Sequence, residues 1–236
     1  MSLDTPHLTL LPCAPEHLLT LIDQPERFEQ VVGVPVADGL HGFYVSDDVS
    51  PDWLAALRSS SGPDPWRHGF FVVHREGASV IGSAGFKGLP DSRGTVEIAY
   101  GIVPAFEGRG YATEAAAALV AFAFASGQVR RVRAHTLPEA NASTRVLLKC
   151  GFHHVGTVVD PEDGPVWALG TGPLAGLTLR GPDPLGVPLF GEHPFREIQP
   201  LLDIGEPPLH VLERVESGLN VFTPPYPLLQ VVDHLR

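Results

Sequence analysis

The sequence predicts an α/β (α+β) fold, in which helices flank a mixed, mostly antiparallel central sheet. Short β-prone runs joined directly by turns predict antiparallel hairpins. One such run instead leads through a long helix to the next run, which predicts a parallel crossover. Hydrophobic residues make up 44% of the 236 residues and charged residues 18%, a composition that supports a sizeable core.

The N-terminal quarter predicts one strand and two helices around a segment without a clear pattern. Residues 7–12 are expected to form a strand, and residues 14–32 a helix with a proline near its first turn. Residues 33–49 carry too many glycines and prolines for an assignment. Ser50, followed by a proline and an acid, predicts the start of a helix, and the Gly/Pro/Ser cluster at 59–65 ends it.

The central part of the chain predicts the sheet and its two flanking helices. Turn residues separate the runs, and a glycine ends each helix. The predicted helices cover residues 110–126 and 141–149. The predicted strands cover residues 70–74, 79–85, 95–103, 132–136, 152–159 and 165–169.

Composition changes after the last predicted strand, so we expect a folded domain at residues 1–170 and a C-terminal extension at 171–236. Prolines and glycines recur throughout the extension, which disfavours long helices and central strands. Its apolar residues are too frequent for a disordered tail. An irregular ordered wrap is expected, on the domain or on a second subunit, with short helices at 209–215 and 228–235.

Charge and cysteine content limit the classes of function. The formal net charge of −11 argues against a general nucleic-acid binder, which needs a basic surface. Cys13 and Cys150 belong to no metal-binding pattern, so no metal is expected. The longest apolar run, 115–125, is shorter than the ~18 residues that suggest a membrane span. No signal peptide is read at the start, which predicts a cytoplasmic protein.

Basic residues are concentrated in one part of this acidic chain, a distribution that favours a small anionic ligand. The alternative for the three arginines between 130 and 133 is a solvated face. The cluster comprises Arg109, Arg130, Arg131, Arg133, Arg145 and Lys149.

The segment VEIAYGIVPAFEGRGYATEA, residues 96–115, predicts an anion site. A strand leads through Gly108 and Gly110 directly into a helix, whose first backbone N–H groups and dipole attract anions. The dinucleotide-binding pattern GxGxxG/A fails at Thr113, and the P-loop lysine is absent.

With two further segments, this motif resembles the GNAT superfamily of acetyltransferases, and looks closest to the branch that includes ribosomal-protein N-acetyltransferases. The segments are EANASTRVLLKCGF, residues 139–152, and GPVWAL, residues 164–169. The resemblance covers roughly residues 7–170 and implies acetyl-CoA as cosubstrate.

The resemblance also implies roles for individual residues. Ile102 and Val103 are expected to pair their backbone with the pantetheine arm, and Asn141 and Ser143 to lie near the pantetheine and the thioester. Arg145 belongs to the basic cluster that the charge of CoA explains. The pyrophosphate is expected on Gly108, Arg109, Gly110, Tyr111, Ala112 and Thr113. The tyrosine that often serves as general acid is replaced by Leu147.

Glu97 is the candidate base, because a carboxylate inside an otherwise apolar strand needs a role or a partner. Pairing with an arginine across the sheet is the alternative. Ser143 is the second catalytic candidate, near the sulfur or the carbonyl, and capping or packing of its helix is the alternative. His135 is either a base or, as is more common for a strand histidine, structural.

Together these features predict an acetyl-CoA-dependent N-acetyltransferase, in which a primary amine of a small molecule or a protein N-terminus attacks the thioester directly. The alternative is a non-catalytic acyl-CoA-binding or regulatory module. The expected partner is an amine substrate, with neither nucleic acid nor membrane, and a homodimer is allowed.

Overall fold

The computed structural model describes residues 1–46, 49–160 and 164–172. The strands are β1 (Leu3–Asp4), β2 (Leu8–Pro12), β3 (Phe70–His74), β4 (Ser79–Phe86), β5 (Thr95–Ile102), β6 (Arg131–Thr136), β7 (His153–Asp160) and β8 (Gly164–Thr171). The helices are α1 (Pro15–Asp23), α2 (Phe28–Val32), α3 (Gly42–Val45), α4 (Pro51–Ser59), α5 (Pro65–His68), α6 (Tyr111–Ala125) and α7 (Ala142–Lys149).

The strands form an eight-stranded sheet in the order β1-β2-β3-β4-β5-β6-β8-β7. The pair β5–β6 is parallel and the other neighbouring strands are antiparallel. The predicted mixed, mostly antiparallel sheet is therefore confirmed. The parallel pair is the one joined by α6, because a parallel connection needs a crossover long enough to return to the same sheet edge.

The N-terminal elements differ from the expectation most clearly at the first helix. The helix predicted over 14–32 is divided into α1, a 3-10 turn at Pro25–Arg27, and α2. Pro25 has no backbone N–H to continue α1, which explains the break. The start of α4 is confirmed, since the Ser50 hydroxyl accepts a hydrogen bond from the Trp53 backbone N–H at 3.4 Å. The sequence analysis assigned neither β1 nor α5.

Helix α6 packs against β5, β4 and β2. Its buried positions are mainly alanines, which let the helix backbone approach the sheet closely, and they comprise Ala115, Ala116, Leu119 and Ala123. Large aromatic side chains, including Phe28, Phe70, Phe71 and Phe86, fill the rest of the core. The core thus fixes α6, and with it the loop that precedes α6, relative to β5.

Strands β5 and β6 pair over only three residues each and then separate. The register joins Thr95 to Arg131 and Glu97 to Arg133, and no pairing follows between these strands. Beyond Glu97, the edge of β5 that faces β6 is therefore open. This opening determines where a ligand can reach the backbone of the sheet.

The final described strand ends slightly beyond the expected domain boundary at residue 170. Thr171 is buried and pairs with Val132 of β6, so the sheet includes it. The expectations for the extension, including helices at 209–215 and 228–235, lie outside the described residues. Within the described part of the chain, no helix is long and apolar enough to cross a membrane.

Candidate active site

A cleft opens where β5 and β6 separate. Strands β5 and β6, the residue after β4, and the first turn of α7 contribute its walls. The lining residues are Lys87, Glu97, Ile98, Ala99, Tyr100, Ala134, His135 and Ser143. The cleft therefore brings together Glu97 and Ser143, the two side chains predicted to be catalytic.

Glu97 is buried and forms ion-pair contacts with three basic side chains. Its Oε1 lies 2.9 Å from Lys87 Nζ and 3.0 Å from His135 Nδ1, and its Oε2 lies 3.1 Å from Arg133 Nε. The alternative that Glu97 pairs with an arginine across the sheet is thus realised by Arg133. Both carboxylate oxygens already accept hydrogen bonds inside the protein.

The sheet register explains this cluster. Arg133 is the direct partner of Glu97 on the parallel neighbour β6. His135 lies two residues further along β6 and so on the same face as Arg133. Lys87 is placed on the other side by the hydrogen bond from its backbone N–H to the Glu97 carbonyl, 2.9 Å long. Two residues of β6 and the residue that follows β4 therefore surround one carboxylate of β5.

The cluster keeps Glu97 ionised. Burial raises the pKa of the Glu97 carboxyl, but the hydrogen bond from His135 and the positive charge of Lys87 outweigh burial and lower the pKa to about 2. A carboxylate with such a pKa is a weak proton acceptor near neutral pH. The predicted role of Glu97 as the base therefore conflicts with its surroundings.

Ser143 and Tyr100 form a second polar pair in the cleft. The Tyr100 hydroxyl lies 3.2 Å from Ser143 Oγ. Burial raises the pKa of the Tyr100 phenol above its ordinary range, although the hydrogen bond with Ser143 opposes this, so the phenol keeps its proton. Leu147, at the position of the frequent general acid, is fully buried. The catalytic candidates predicted from the sequence did not include Tyr100.

The loop before α6 has the geometry expected of an anion site. Gly108 and Gly110 adopt φ angles of 71° and 87°, in a region that other L-residues seldom occupy. A Cβ atom at either glycine would meet no atom within 4 Å. The loop is exposed, and the first backbone N–H groups of α6, from Tyr111 to Thr113, lack partners within their own helix. A phosphate group fits this arrangement.

The basic cluster is divided by the fold. Arg109 is at the loop, where its guanidinium donates to the Ala105 carbonyl at 3.0 Å and lies 5.3 Å from the centre of the Phe106 ring. Arg145 is exposed on α7. Arg131, in contrast, pairs with Thr95 at the start of β5, about 23 Å along the strand from the loop end. The arginines at 130 and 131 are thus placed away from the anion loop.

The predicted backbone pairing with pantetheine suits Ile102 and conflicts with Val103. The Val103 backbone N–H already donates to Ile81 of β4 at 2.9 Å, and its carbonyl accepts from Phe106 at 2.9 Å. Because backbone groups alternate in direction along a strand, those of Ile102 face the edge that β6 has left. The pairing prediction is therefore corrected at Val103, whose N–H is already used inside the protein.

The Asn141 side chain is used inside the protein. Its Oδ1 accepts from the Thr144 backbone N–H at 2.8 Å, which caps α7, and its Nδ2 donates to Thr136 Oγ1 at 2.9 Å. These bonds fix the start of α7 against the end of β6. Asn141 thereby fixes the first turn of α7, which carries Ser143, and its predicted place near the pantetheine stays a prediction.

Among the residues that the structure describes, no three His, Cys, Asp or Glu side chains are placed to hold a metal ion. Cys150 donates weakly to the Thr113 carbonyl at 3.5 Å, and burial raises the pKa of its thiol to about 11. The polar chemistry of the cleft is therefore that of two groups, Glu97 with its partners and Tyr100 with Ser143.

The family model described as acetyltransferase (GNAT) domain matches residues 7–153. The chain is 31% identical, over 93 residues, to the uncharacterized N-acetyltransferase p20 of Bacillus licheniformis, an alignment that covers 39% of this chain and 52% of p20. The chain thus spans about half the length of the curated relatives it matches.

Two solved structures illustrate the similarity of fold. A ribosomal-protein-S5-alanine acetyltransferase from Vibrio fischeri has a TM-score of 0.50 at 15% identity, covering 73% of this chain and 96% of its own. A ribosomal alpha-N-protein acetyltransferase in complex with coenzyme A has the same TM-score and identity, covering 73% of this chain and 98% of its own.

Proposed function

The chain belongs to the acetyltransferase (GNAT) family, and on that premise we propose that it transfers an acetyl group from acetyl-CoA to a primary amine. The acceptor is a small molecule or a protein N-terminus. We further propose that the protein acts in the cytoplasm and binds neither nucleic acid nor membrane.

The observation that carries the proposal is the placement of two sites along one open strand edge. The exposed loop of Gly108 and Gly110 follows the end of β5, and the cleft with Ser143 and Tyr100 opens at its middle. Acetyl-CoA is a long molecule with anionic phosphates at one end and a thioester at the other. The loop suits the phosphates, the backbone of Ile102 suits the pantetheine amides, and the cleft suits the thioester.

The cleft offers the chemistry that the transfer needs. Attack by a neutral amine on the thioester carbon forms a C–N bond, and collapse of the tetrahedral intermediate breaks the C–S bond. A thiol has an ordinary pKa near 8.5, so it departs readily as a thiolate. The hydroxyl pair of Tyr100 and Ser143 supplies donors for the developing negative charge on oxygen or sulfur. No covalent enzyme intermediate is required.

One observation favours the alternative of a non-catalytic acyl-CoA-binding module. Glu97 is the carboxylate of the cleft, and its internal partners occupy both of its oxygens. A protein that only binds acyl-CoA would keep the loop and the open strand edge without needing a proton acceptor. The two functions share a ligand and differ in turnover.

The test measures CoA binding and acetyl transfer in one preparation of the protein. The full chain is incubated with acetyl-CoA and a panel of amines that includes amino acids, polyamines, aminoglycosides and peptides with free N-termini. Thiol release is followed, and products are identified by mass. A product heavier by one acetyl group supports the proposal. Binding of CoA without any product supports the non-catalytic module, and absence of CoA binding overturns both.

A further inference from the structure

We propose that His135 is the general base of the transfer and that Glu97 is its positioning residue. This inference rests on the proposed function and assigns the proton transfer of the same site. It replaces the expectation that Glu97 itself accepts the proton from the substrate amine.

The hydrogen bond between the two residues determines which ring nitrogen can accept a proton. His135 Nδ1 lies 3.0 Å from Glu97 Oε1. An ionised carboxylate can only accept a hydrogen bond, so Nδ1 carries the proton. In a neutral imidazole the lone pair is then on Nε2. Nε2 forms no hydrogen bond with any residue in the described ranges, and the ring lines the cleft.

The charged and polar groups around His135 lie on several elements of the fold. Glu97 lies on β5, Lys87 follows β4, and Arg133 lies on β6, all in one ion-pair cluster. The neutral hydroxyls of Tyr100 and Ser143 line the same cleft. On β8 the paired residue is Ala168, which does not titrate. Lys87 and Arg133 keep Glu97 ionised, and Glu97 holds the imidazole in one tautomer.

The protons of the proposed acetyl transfer are all accounted for. Nε2 takes one proton from the substrate ammonium, and the neutral nitrogen attacks the thioester carbon. As the C–S bond breaks, the second proton of the amine nitrogen passes to the departing thiolate. The hydroxyls of Ser143 and Tyr100 line the cleft where this transfer takes place. The imidazolium then releases its proton to solvent. The products are the acetylated amine, coenzyme A with a free thiol, and one proton.

The test compares His135→Gln with Glu97→Gln, with His153→Gln as a matched control. His153 is an exposed histidine on β7, outside the cleft. We expect kcat to fall about 10²–10³-fold in His135→Gln, with KM for acetyl-CoA within twofold and the acid limb of the pH–rate profile lost. His135→Ala should recover activity as imidazole is added. His153→Gln should match the wild type.

Glu97→Gln should lower kcat by about tenfold with an unchanged KM for acetyl-CoA, because a neutral amide both donates and accepts hydrogen bonds and no longer fixes the His135 ring in one tautomer. Nitrogen-15 NMR of the wild type should show the neutral His135 ring protonated on Nδ1. A neutral ring protonated on Nε2 overturns the inference.

The kinetic results separate the inference from the function on which it rests. An active wild type whose His135→Gln variant keeps the normal pH profile overturns the inference alone. So does a Glu97→Gln variant that loses more activity than His135→Gln. A wild type that acetylates no amine of the panel overturns the proposed function, and the role of His135 as a base with it.

Discussion

The hydroxyls of Tyr100 and Ser143 lie 3.2 Å apart, although one residue is on β5 and the other in the first turn of α7. Their contact closes one side of the cleft, while Glu97 and His135 form the other polar group. In the proposed reaction the pair takes the place of the tyrosine that Leu147 replaces, because it brings a protonated phenol into the cleft.

Ser143→Ala and Tyr100→Phe should each lower kcat by roughly tenfold or less, since a thiol of moderate pKa needs little assistance. The double variant should lose about as much as one single variant, because both changes remove the same hydrogen bond. Steady-state kinetics on the three variants measures the coupling. A loss at Ser143 larger than that at His135 would reverse the assignment of roles.

We expect the wild type to bind CoA in the micromolar range and CoA to raise its melting temperature. Gly110→Val should abolish that rise. The valine side chain would occupy the space above the loop. Gly110 has a φ of 87°, so the substitution also strains the backbone and should lower apo stability by about 1–2 kcal/mol.

Gly127→Val is the matched control for that strain. Gly127 lies just beyond the opposite end of α6, has a φ of 71°, and would place its Cβ in open space. Gly127→Val should lower apo stability by a similar amount but keep the rise in melting temperature with CoA. Equal CoA binding by both variants would contradict the assignment of the loop.

Glu97 should contribute to stability in a way that depends on pH. Folding lowers the pKa of Glu97 from an ordinary value near 4.5 to about 2, which corresponds to about 3 kcal/mol. A lowered pKa means that this stabilisation is present above pH 4.5 and lost as the pH falls towards 2. Urea unfolding of the wild type and Glu97→Gln between pH 7 and pH 3 measures it.

The difference in unfolding free energy between the two proteins should narrow across that window. Glu139→Gln is the control, because Glu139 is exposed and its removal should change stability little at any pH. A constant difference between the wild type and Glu97→Gln from pH 7 to pH 3 would contradict the ionised cluster.

Two truncations test the domain boundary. Ending the chain after Leu169 removes Gly170 and Thr171, which pair with Arg133 and Val132 in the sheet. This variant should be less stable than one that ends after Gly172, because it loses ladder hydrogen bonds beside the Glu97 cluster. Chemical unfolding of both shortened chains measures the difference.

The chain that ends after Gly172 also tests the role of the extension. If it folds and binds CoA but loses turnover, residues beyond 172 belong to the acceptor site. Full turnover would exclude that role, and aggregation of the shortened chain would show that the extension is part of the folded core.

The local features that the sequence predicted were those that depend on neighbours along the chain. The cap at Ser50, the glycine loop before α6 and the hairpin of β3 and β4 each follow from short-range backbone preferences. The break at Pro25 was missed, although proline gives a local signal, because the apolar pattern continues across it.

The sequence by itself determined the family, the glycine loop before α6 and the presence of a carboxylate in an apolar strand. Only the tertiary structure decided which side chains surround that carboxylate. The register of β5 against β6, and of β4 against β5, placed Arg133, His135 and Lys87 around Glu97. Strand register depends on pairing between segments distant along the chain, so the partners of Glu97 could not be read from its neighbours in sequence. The same long-range packing brought Tyr100 to Ser143.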